Sequence, residues 1–268
     1  MTDWLEFCRA AVADVRHVLE ALPRRRDREP VVGTGLGGDE TTAIDAAAER
    51  AIVERLEALH ARGAEFTLVS EELGERRFGA GGEWVVVDPI DGSLNAKRGI
   101  PHFSLSVAVA DGPTMADVHF GYVYDFGSGE EWRATRGGGA WLDGAQLGDE
   151  RPKAELEILA FEATRTAAVA EEAGSVAGLA YRLRIMGSLA LALCQLAAGR
   201  LDGVCSLKAA RSVDIAAAQL LVRECGLAID LFEAPPFEAA PLDVEARSRV
   251  VAAGTPELCR KLAEALRD

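Results

Sequence analysis

The residues that most directly suggest chemistry lie in the segment DPIDGS at 88–93, which follows the apolar run WVVV. Such a run predicts a buried strand, and strand ends are where α/β sheets place their ligand sites. Pro89 cannot continue a central strand, so we expect the chain to turn there and direct Asp88 and Asp91 to one point. The turn would also free the Ile90 carbonyl. Carboxylates and a carbonyl are hard oxygen donors, which suit Mg²⁺ better than a soft metal.

The residues after Asp91 predict a phosphate-binding turn. Gly92, Ser93 and Leu94 begin a helical turn whose free N–H groups can hold a phosphate. An ordinary acidic turn is the alternative for the whole segment, because Asp-Pro and Asp-Gly dipeptides are common in loops.

A second acidic segment, Glu71-Glu72, follows the strand-like run 65–69. Adjacent side chains on extended backbone point in opposite directions, so we expect one of the two glutamates, Glu71, to reach the site. A solvated loop acid is the alternative.

A third segment places Asp214 at the start of a small-residue helix in RSVDIAAA. Capping of that helix explains this acid equally well. As a ligand, Asp214 would converge with Asp88 and Asp91. Three carboxylates so close together cannot all stay ionised without cations between them. A site with several Mg²⁺ ions resolves the repulsion and is typical of phosphate-ester hydrolysis.

A literal GxGxxG occurs at 33–38, which opens the possibility of an NAD(P)-binding oxidoreductase. A dinucleotide site needs a strand before the glycines and a helix that receives the pyrophosphate. The preceding RRRDREPVV is too short and too charged for a central strand, and Asp39 and Glu40 would face the phosphates. We therefore expect a mobile, acid-tipped loop.

Composition excludes several other classes of function. The 268 residues carry a formal charge of −14, whereas binding to nucleic acid needs a positive surface. The apolar runs are too short to span a bilayer, and the N-terminus does not resemble a signal peptide. The five cysteines are odd in number and lack CxxC spacing, which indicates reduced thiols in a cytoplasmic protein. The four histidines are scattered and support neither a zinc site nor a serine triad.

The elements that must position these residues follow from periodicity. Helical spacing predicts helices at 3–22, 42–59, 164–174, 187–199, 213–225 and 256–267. Between them, β-type runs in the first half suggest antiparallel strands with glycine turns, and the second half alternates strand and helix. We expect mixed sheets covered by helices, with an α+β domain at 1–150 and an α/β domain at 151–268.

Together these segments resemble the inositol monophosphatase-like family of Mg²⁺-dependent, lithium-sensitive phosphatases. The matching motifs are Glu71-Glu72, then DPIDGS, then Asp214 with its Ala-rich helix. GGDETTAID, NAKRGIPHFSLSVAV and RSVDIAAA resemble the archaeal-type branch that acts on both inositol phosphate and fructose 1,6-bisphosphate. The resemblance implies a layered α-β-α-β-α sandwich of the sugar phosphatase type, a cytoplasmic homodimer, and two or three Mg²⁺ ions with Mn²⁺ as a substitute.

The resemblance also assigns roles to residues that match the motifs. Those expected to hold the metal ions are Glu71, Asp88, the Ile90 carbonyl, Asp91 and Asp214. Those expected to act on the attacking water are Asp45 and Ser93, with Glu71 also in the catalytic set; Asp45 equally fits a capping box with Thr42. Those expected on the substrate are Asp91, the Gly92 and Ser93 amides, Arg184, Ser188 and Arg211. Asp39 is assigned to a weakly bound third metal, and Arg98 to a second phosphate.

The implied reaction is in-line attack of a metal-activated water on a phosphomonoester, without a phosphoenzyme. The family usually has Thr where Ser93 stands, so the loss of the methyl group that fixes the rotamer predicts lower activity. Alternatives within the family are a 3′(2′),5′-bisphosphate nucleotidase and a histidinol phosphatase. A weakly active regulatory homologue and the dinucleotide-binding oxidoreductase are alternatives of other classes.

Overall fold

The computed structural model describes residues 2–36, 38, 40–150, 153, 155–162, 165–233 and 236–266. Within these residues the α-helices are α1 (Trp4–Ala21), α2 (Arg25–Arg28), α3 (Ala43–Ala61), α4 (Ser93–Arg98), α5 (Thr166–Glu172), α6 (Leu189–Ala197), α7 (Ser212–Glu224) and α8 (Pro256–Ala265). The strands before residue 150 are β1 (Val31–Thr34), β2 (Glu40–Thr42), β3 (Phe66–Ser70), β4 (Gly74–Phe78), β5 (Glu83–Asp91), β6 (Ser104–Ala110), β7 (Val118–Asp125), β8 (Glu131–Thr135), β9 (Gly139–Leu142) and β10 (Ala145–Gln146). The later strands are β11 (Leu156–Glu162), β12 (Ala180–Arg184), β13 (Gly203–Ser206), β14 (Ala228–Leu231) and β15 (Val250–Ala253).

The first large sheet has the strand order β10-β9-β8-β7-β6-β5-β3-β4. Its pairs are antiparallel except for β3 and β5, which run parallel. Alternate residues of β5 face two different helix layers. Val85 and Val87 pack in a cluster with side chains of α1 and α3, whereas Val86 packs in a cluster with those of α6 and α7. Burial on both faces explains why the sequence of this strand is continuously apolar.

The second large sheet has the order β12-β11-β13-β15-β14 and is mixed, with β11 parallel to both β12 and β13. Ala160 and Val204 on one face pack into the cluster that contains α6 and α7. Leu159 and Cys205 on the other face pack with side chains of α8. The layers are therefore α1 and α3, the first sheet, α6 and α7, the second sheet, and α8. This arrangement confirms the expected layered sandwich with mixed sheets.

Two local expectations were wrong. The glycine-rich stretch is not simply a loop, because β1 and β2 pair as an antiparallel hairpin and no helix follows the glycines directly. The strand before the glycines therefore belongs to a separate two-stranded sheet, and the helix that a dinucleotide site requires does not follow the motif directly; Gly37 and Asp39 lie outside the described residues. Strand β4 also had no counterpart among the expected elements, since its sequence GERRF is mostly charged and exposed.

The division of the chain near residue 150 stays a prediction. One hydrophobic cluster combines Val69 and Val86 from before this point with Ala160 and Leu220 from after it. None of the described helices combines the length and the apolar character needed to cross a membrane. The described cysteines are all free thiols, four of them buried.

Candidate active site

The strand that carries Asp88 and Asp91 is irregular where these residues lie. β5 continues through Pro89 to Asp91, so the expected end of the strand at the proline was wrong. In its pairing with β6, Asp88 lies opposite Ser106 and Asp91 opposite Ser104, which leaves one extra residue on β5. Such a bulge accommodates a proline because the extra residue is left out of the ladder of hydrogen bonds.

The bulge brings Asp88 and Asp91 together with Asp214, which lies in the first turn of α7. One carboxylate oxygen from each of the three residues lies within 4.8 Å of the other two. Asp88 and Asp91 are buried, and Asp214 is half-buried. The Arg211 N–H donates to Asp214 Oδ2 at 2.7 Å, so this acid also caps its helix. Capping and clustering are thus compatible, and the sequence had left them as alternatives.

Glu71 reaches the same place along the neighbouring strand. Ser70 pairs with Val87 in the parallel ladder of β3 and β5, so Glu71 and Asp88 follow side by side. The Glu71 carboxylate accepts a hydrogen bond from the guanidinium of Arg211, which is only 5% exposed. Arg211 was expected beside the sugar, but here its guanidinium lies among the carboxylates expected to bind metal.

The electrostatics of this cluster favour a bound cation. Burial, then repulsion from Glu71, Asp91 and Asp214, raises the pKa of Asp88 well above its ordinary value. Burial raises the pKa of Asp91 to about 7 against the opposing hydrogen bond from Ser188. Burial also raises the pKa of Glu71 to about 7 despite the attraction of Arg211. Because the donors are all oxygens and repel one another when ionised, the residues fit a divalent cation such as Mg²⁺.

Asp45 and Ser93 lie on the wall of the same cavity. Asp45 forms the expected capping box with Thr42, whose hydroxyl donates to Asp45 Oδ2 at 2.5 Å. Its other oxygen, Oδ1, is buried without a hydrogen-bond partner in the described part of the chain. The Ser93 hydroxyl donates to the Ile90 carbonyl at 3.0 Å, so that carbonyl already has a partner.

Gly92 sets the direction of the chain after the aspartates. It adopts a left-handed conformation with φ 95° and caps α4 at its N-terminus. A Cβ there would lie 3.0 Å from the Gly187 carbonyl oxygen, so both the conformation and the packing require glycine. The Gly92, Ser93 and Leu94 residues line the cavity, as expected of a turn that binds phosphate.

The other residues expected on the substrate lie in different surroundings. Ser188 is buried, donates to Asp91 and caps α6, so it positions Asp91 and is not on the cavity wall described here. Arg184 ends β12 exposed and is likewise not among the described lining residues. The structure also leaves the exposed Arg98 away from this wall, and Asp39 lies outside the described residues.

The cavity encloses about 270 Å³ and includes side chains that the motifs did not indicate. Glu162 ends β11, and Lys208 lies between β13 and α7. Glu72 lines the cavity together with Glu71, so the expectation that only one of these two glutamates reaches the site was wrong; its carboxylate accepts a hydrogen bond from the Thr41 hydroxyl. A smaller adjoining cavity is lined by Glu49, one turn after Asp45 on α3. Spacing along α3 was a usable signal for Glu49, and Glu72 belongs to the Glu71-Glu72 segment, whereas Glu162 and Lys208 have no motif.

Comparison with known proteins supports a single family. The model of the inositol monophosphatase family matches residues 3–268. A fructose-1,6-bisphosphatase/inositol-1-monophosphatase of Methanothermobacter thermautotrophicus is 32% identical over 263 residues, covering 94% of this chain and 92% of the relative. The protein with the same description in Thermococcus kodakarensis is 31% identical over 271 residues, covering 99% and 98%. Nus factor SuhB of Escherichia coli is 36% identical over 195 residues, 70% of each chain.

Solved structures agree. An inositol monophosphatase–fructose 1,6-bisphosphatase superposes with a TM-score of 0.85 at 26% identity, covering 98% of this chain and 100% of the other. The inositol monophosphatase of Thermotoga maritima superposes with a TM-score of 0.77 at 24% identity, covering 99% of both chains. The second similarity supports the fold alone.

Proposed function

The chain belongs to the inositol monophosphatase family, and we propose that it hydrolyses inositol monophosphate, fructose 1,6-bisphosphate or both, with Mg²⁺ as its cofactor. Membership makes it a phosphoric monoester hydrolase, and the two archaeal relatives with both activities in their descriptions support this substrate class. The observation that carries the proposal is the group of three aspartate oxygens within 4.8 Å, on the wall of a cavity that also contains the turn after Asp91.

The proposed metal ligands are the carboxylates of the cluster, Glu71 and the Ile90 carbonyl. When bound, two or three Mg²⁺ ions would supply the positive charge that lowers the pKa of an attacking water and balances charge on the phosphate. Glu71 and the Ile90 carbonyl already accept hydrogen bonds from Arg211 and Ser93. A carboxylate and a carbonyl oxygen each have further lone pairs, so both groups can coordinate a metal while they keep these hydrogen bonds.

The remaining residues bind and orient the reactants. Asp45 Oδ1 has no partner among the described residues and lies near Ser93 on the cavity wall, which suits a pair that orients and deprotonates the attacking water. The amides of Gly92 and Ser93 would bind the phosphate. Arg211 lines the cavity, and its positive charge would attract the anionic substrate. Direct in-line attack by water needs no covalent intermediate with the protein.

A substrate panel tests this proposal. We expect phosphate release with Mg²⁺ from inositol 1-phosphate or fructose 1,6-bisphosphate, and its abolition by a chelator. Preference for 3′-phosphoadenosine 5′-phosphate or for histidinol phosphate would replace the proposed substrate by the corresponding alternative. Release from none of the four would contradict the proposed activity and favour a regulatory homologue.

Further properties of the family are proposed with it. We expect lithium to inhibit the reaction, and sedimentation to show a homodimer. The free thiols support a reducing compartment such as the cytoplasm. The charge of −14 supports small phosphate esters over nucleic acid as partners.

A further inference from the structure

One buried carboxyl group in the cavity has no part in the proposed reaction. Glu162 is the last residue of β11, is 6% exposed and lines the cavity. It is aligned with Ser206, the last residue of the parallel strand β13, which lines the same cavity. The second sheet thus contributes its own strand ends to the site, and the carboxyl ends of strands are where α/β sheets bind their ligands.

The two oxygens of Glu162 have different surroundings. Oε2 accepts the Gly187 N–H at 2.8 Å, which fixes the carboxyl group to the backbone just before α6. Oε1 is buried and has no hydrogen-bond partner among the described residues. Leaving a buried polar atom without a hydrogen bond costs about 1–3 kcal/mol of folding free energy. A ligand that forms a hydrogen bond with Oε1 would remove this cost.

The chemistry of this carboxyl group favours a neutral ligand group. Glu162 does not belong to the three-aspartate cluster. Burial, to which the charge of Asp91 adds, raises the pKa of Glu162 to about 8. At neutral pH it therefore holds a proton and offers both an O–H donor and an acceptor, which matches a hydroxyl group and does not repel an anionic ester.

We propose that Glu162 hydrogen-bonds a hydroxyl group on the alcohol half of the substrate and so selects polyol phosphates. This inference rests on the proposed phosphatase activity. It makes Glu162 a determinant of specificity that acts on the part of the substrate away from the phosphorus.

The experiment compares two esters. We would measure kcat/KM for inositol 1-phosphate and for p-nitrophenyl phosphate, whose alcohol half has no further hydroxyl group. Glu162→Ala should lower kcat/KM for the inositol ester about 10- to 100-fold. Its kcat/KM for the aryl ester should stay within about threefold of the wild-type value. The Glu162→Gln side chain can still form a hydrogen bond, so its kcat/KM for the inositol ester should lie between those of the wild-type chain and Glu162→Ala. Glu157→Ala, an exposed position on the same strand, is the control.

The outcomes separate the two proposals. If Glu162→Ala changes kcat/KM for both esters by the same factor, or for neither, the inference is wrong while the proposed phosphatase activity stands. If the wild-type chain hydrolyses only fructose 1,6-bisphosphate, that ester takes the place of the inositol ester under the same criteria. If it hydrolyses none of these three esters with Mg²⁺, both proposals are wrong. Activity on the aryl ester also reports folding; should Glu162→Ala be misfolded, the shorter Glu162→Asp is subject to the same comparison and the same criteria.

Discussion

Asp88 and Asp91 lie beside Asp214 in the cluster, and burial raises the pKa of both Asp88 and Asp91. Removing one charge therefore has opposite effects on the empty and the metal-bound protein. Asp88→Asn should lower kcat at least about 1000-fold, because an amide is a poor ligand for Mg²⁺. The same change should leave the stability of the metal-free protein unchanged or higher, because repulsion within the cluster decreases. Phosphate release and chemical unfolding in a chelator measure the two effects.

Asp111→Asn is a matched control for that substitution. The Asp111 side chain is 60% exposed and pairs with Arg136, away from the cavity. We expect full activity from this variant. If Asp88→Asn kept substantial activity, or if wild-type turnover persisted in a metal-free buffer, the assignment of Asp88 as a metal ligand would fail.

Ser93 offers a second test at this scale, because its uncharged hydroxyl is proposed to orient the attacking water. Its Oγ donates to the Ile90 carbonyl, one of the proposed ligands. Ser93→Ala should lower kcat about 10- to 100-fold, since the attacking water loses an orienting group. Ser93→Thr should raise kcat about two- to fivefold, because the added methyl restricts the rotamer. Steady-state kinetics with saturating Mg²⁺ measures both effects, and Ser175→Ala at an exposed position is the control. Full activity in Ser93→Ala would contradict the proposed role of the Ser93 hydroxyl in orienting the attacking water.

At the scale of elements, the sequence predicted where the strands lie better than it predicted their local irregularities. Trp84–Val87 identified β5 because a strand buried on both faces must be apolar throughout. The bulge was missed, because a proline forbids a regular ladder without specifying how the strand continues. The contact between Arg211 and Glu71 was missed as well. The two residues are distant along the chain, and their meeting depends on how α7 packs against the first sheet.

That packing depends on Gly121 in β7. A Cβ at this position would lie 2.5 Å from the Ala217 carbonyl oxygen of α7, a clash with backbone that no side-chain rotation relieves. Gly121→Ala should therefore destabilise the protein by about 2 kcal/mol or more. It should also lower activity, because Asp214 is carried by the helix that has to move. Urea unfolding and the Mg²⁺ dependence of turnover measure the two effects.

Gly174→Ala provides the comparison, since a Cβ at Gly174 meets nothing within 4 Å. This variant should differ from wild type by less than about 0.5 kcal/mol. Equal stability of the two alanine variants would mean that α7 and β7 are not packed as closely as described.

At the scale of the whole molecule, the cavity combines residues from both halves of the chain. Motifs identified the acids that are adjacent in sequence or that begin a helix. Glu162 ends a strand of the second sheet and Lys208 lies in the connection after β13, and both were missed because no local pattern there distinguishes a lining residue from a solvated one. Arg184 was expected at the cavity from a motif alone, but it ends the edge strand β12, is exposed and is not among the described lining residues.

Another buried acid, Glu49, connects this architecture to stability. It is 5% exposed on α3, its carboxylate accepts a hydrogen bond from the Ser70 hydroxyl of β3, and its other oxygen has no partner in the described chain. Burial raises the pKa of Glu49 from 4.5 to about 7 against the opposing effect of Ser70. The folded state therefore keeps a proton that the unfolded state releases at lower pH.

The raised pKa of Glu49 makes the free energy of unfolding decrease as pH rises. Below about pH 4.5 both states are protonated, and as pH rises to about 7 the folded state loses about 3 kcal/mol relative to the unfolded chain. Glu49→Gln cannot titrate, so its free energy of unfolding relative to wild type should rise by about 2.5 kcal/mol between pH 5 and pH 8. Urea unfolding in a chelator measures it, with Glu54→Gln, exposed on the same helix, as the control. A difference between Glu49→Gln and wild type that stays constant with pH would mean that the folded protein ionises Glu49 as readily as the unfolded chain does.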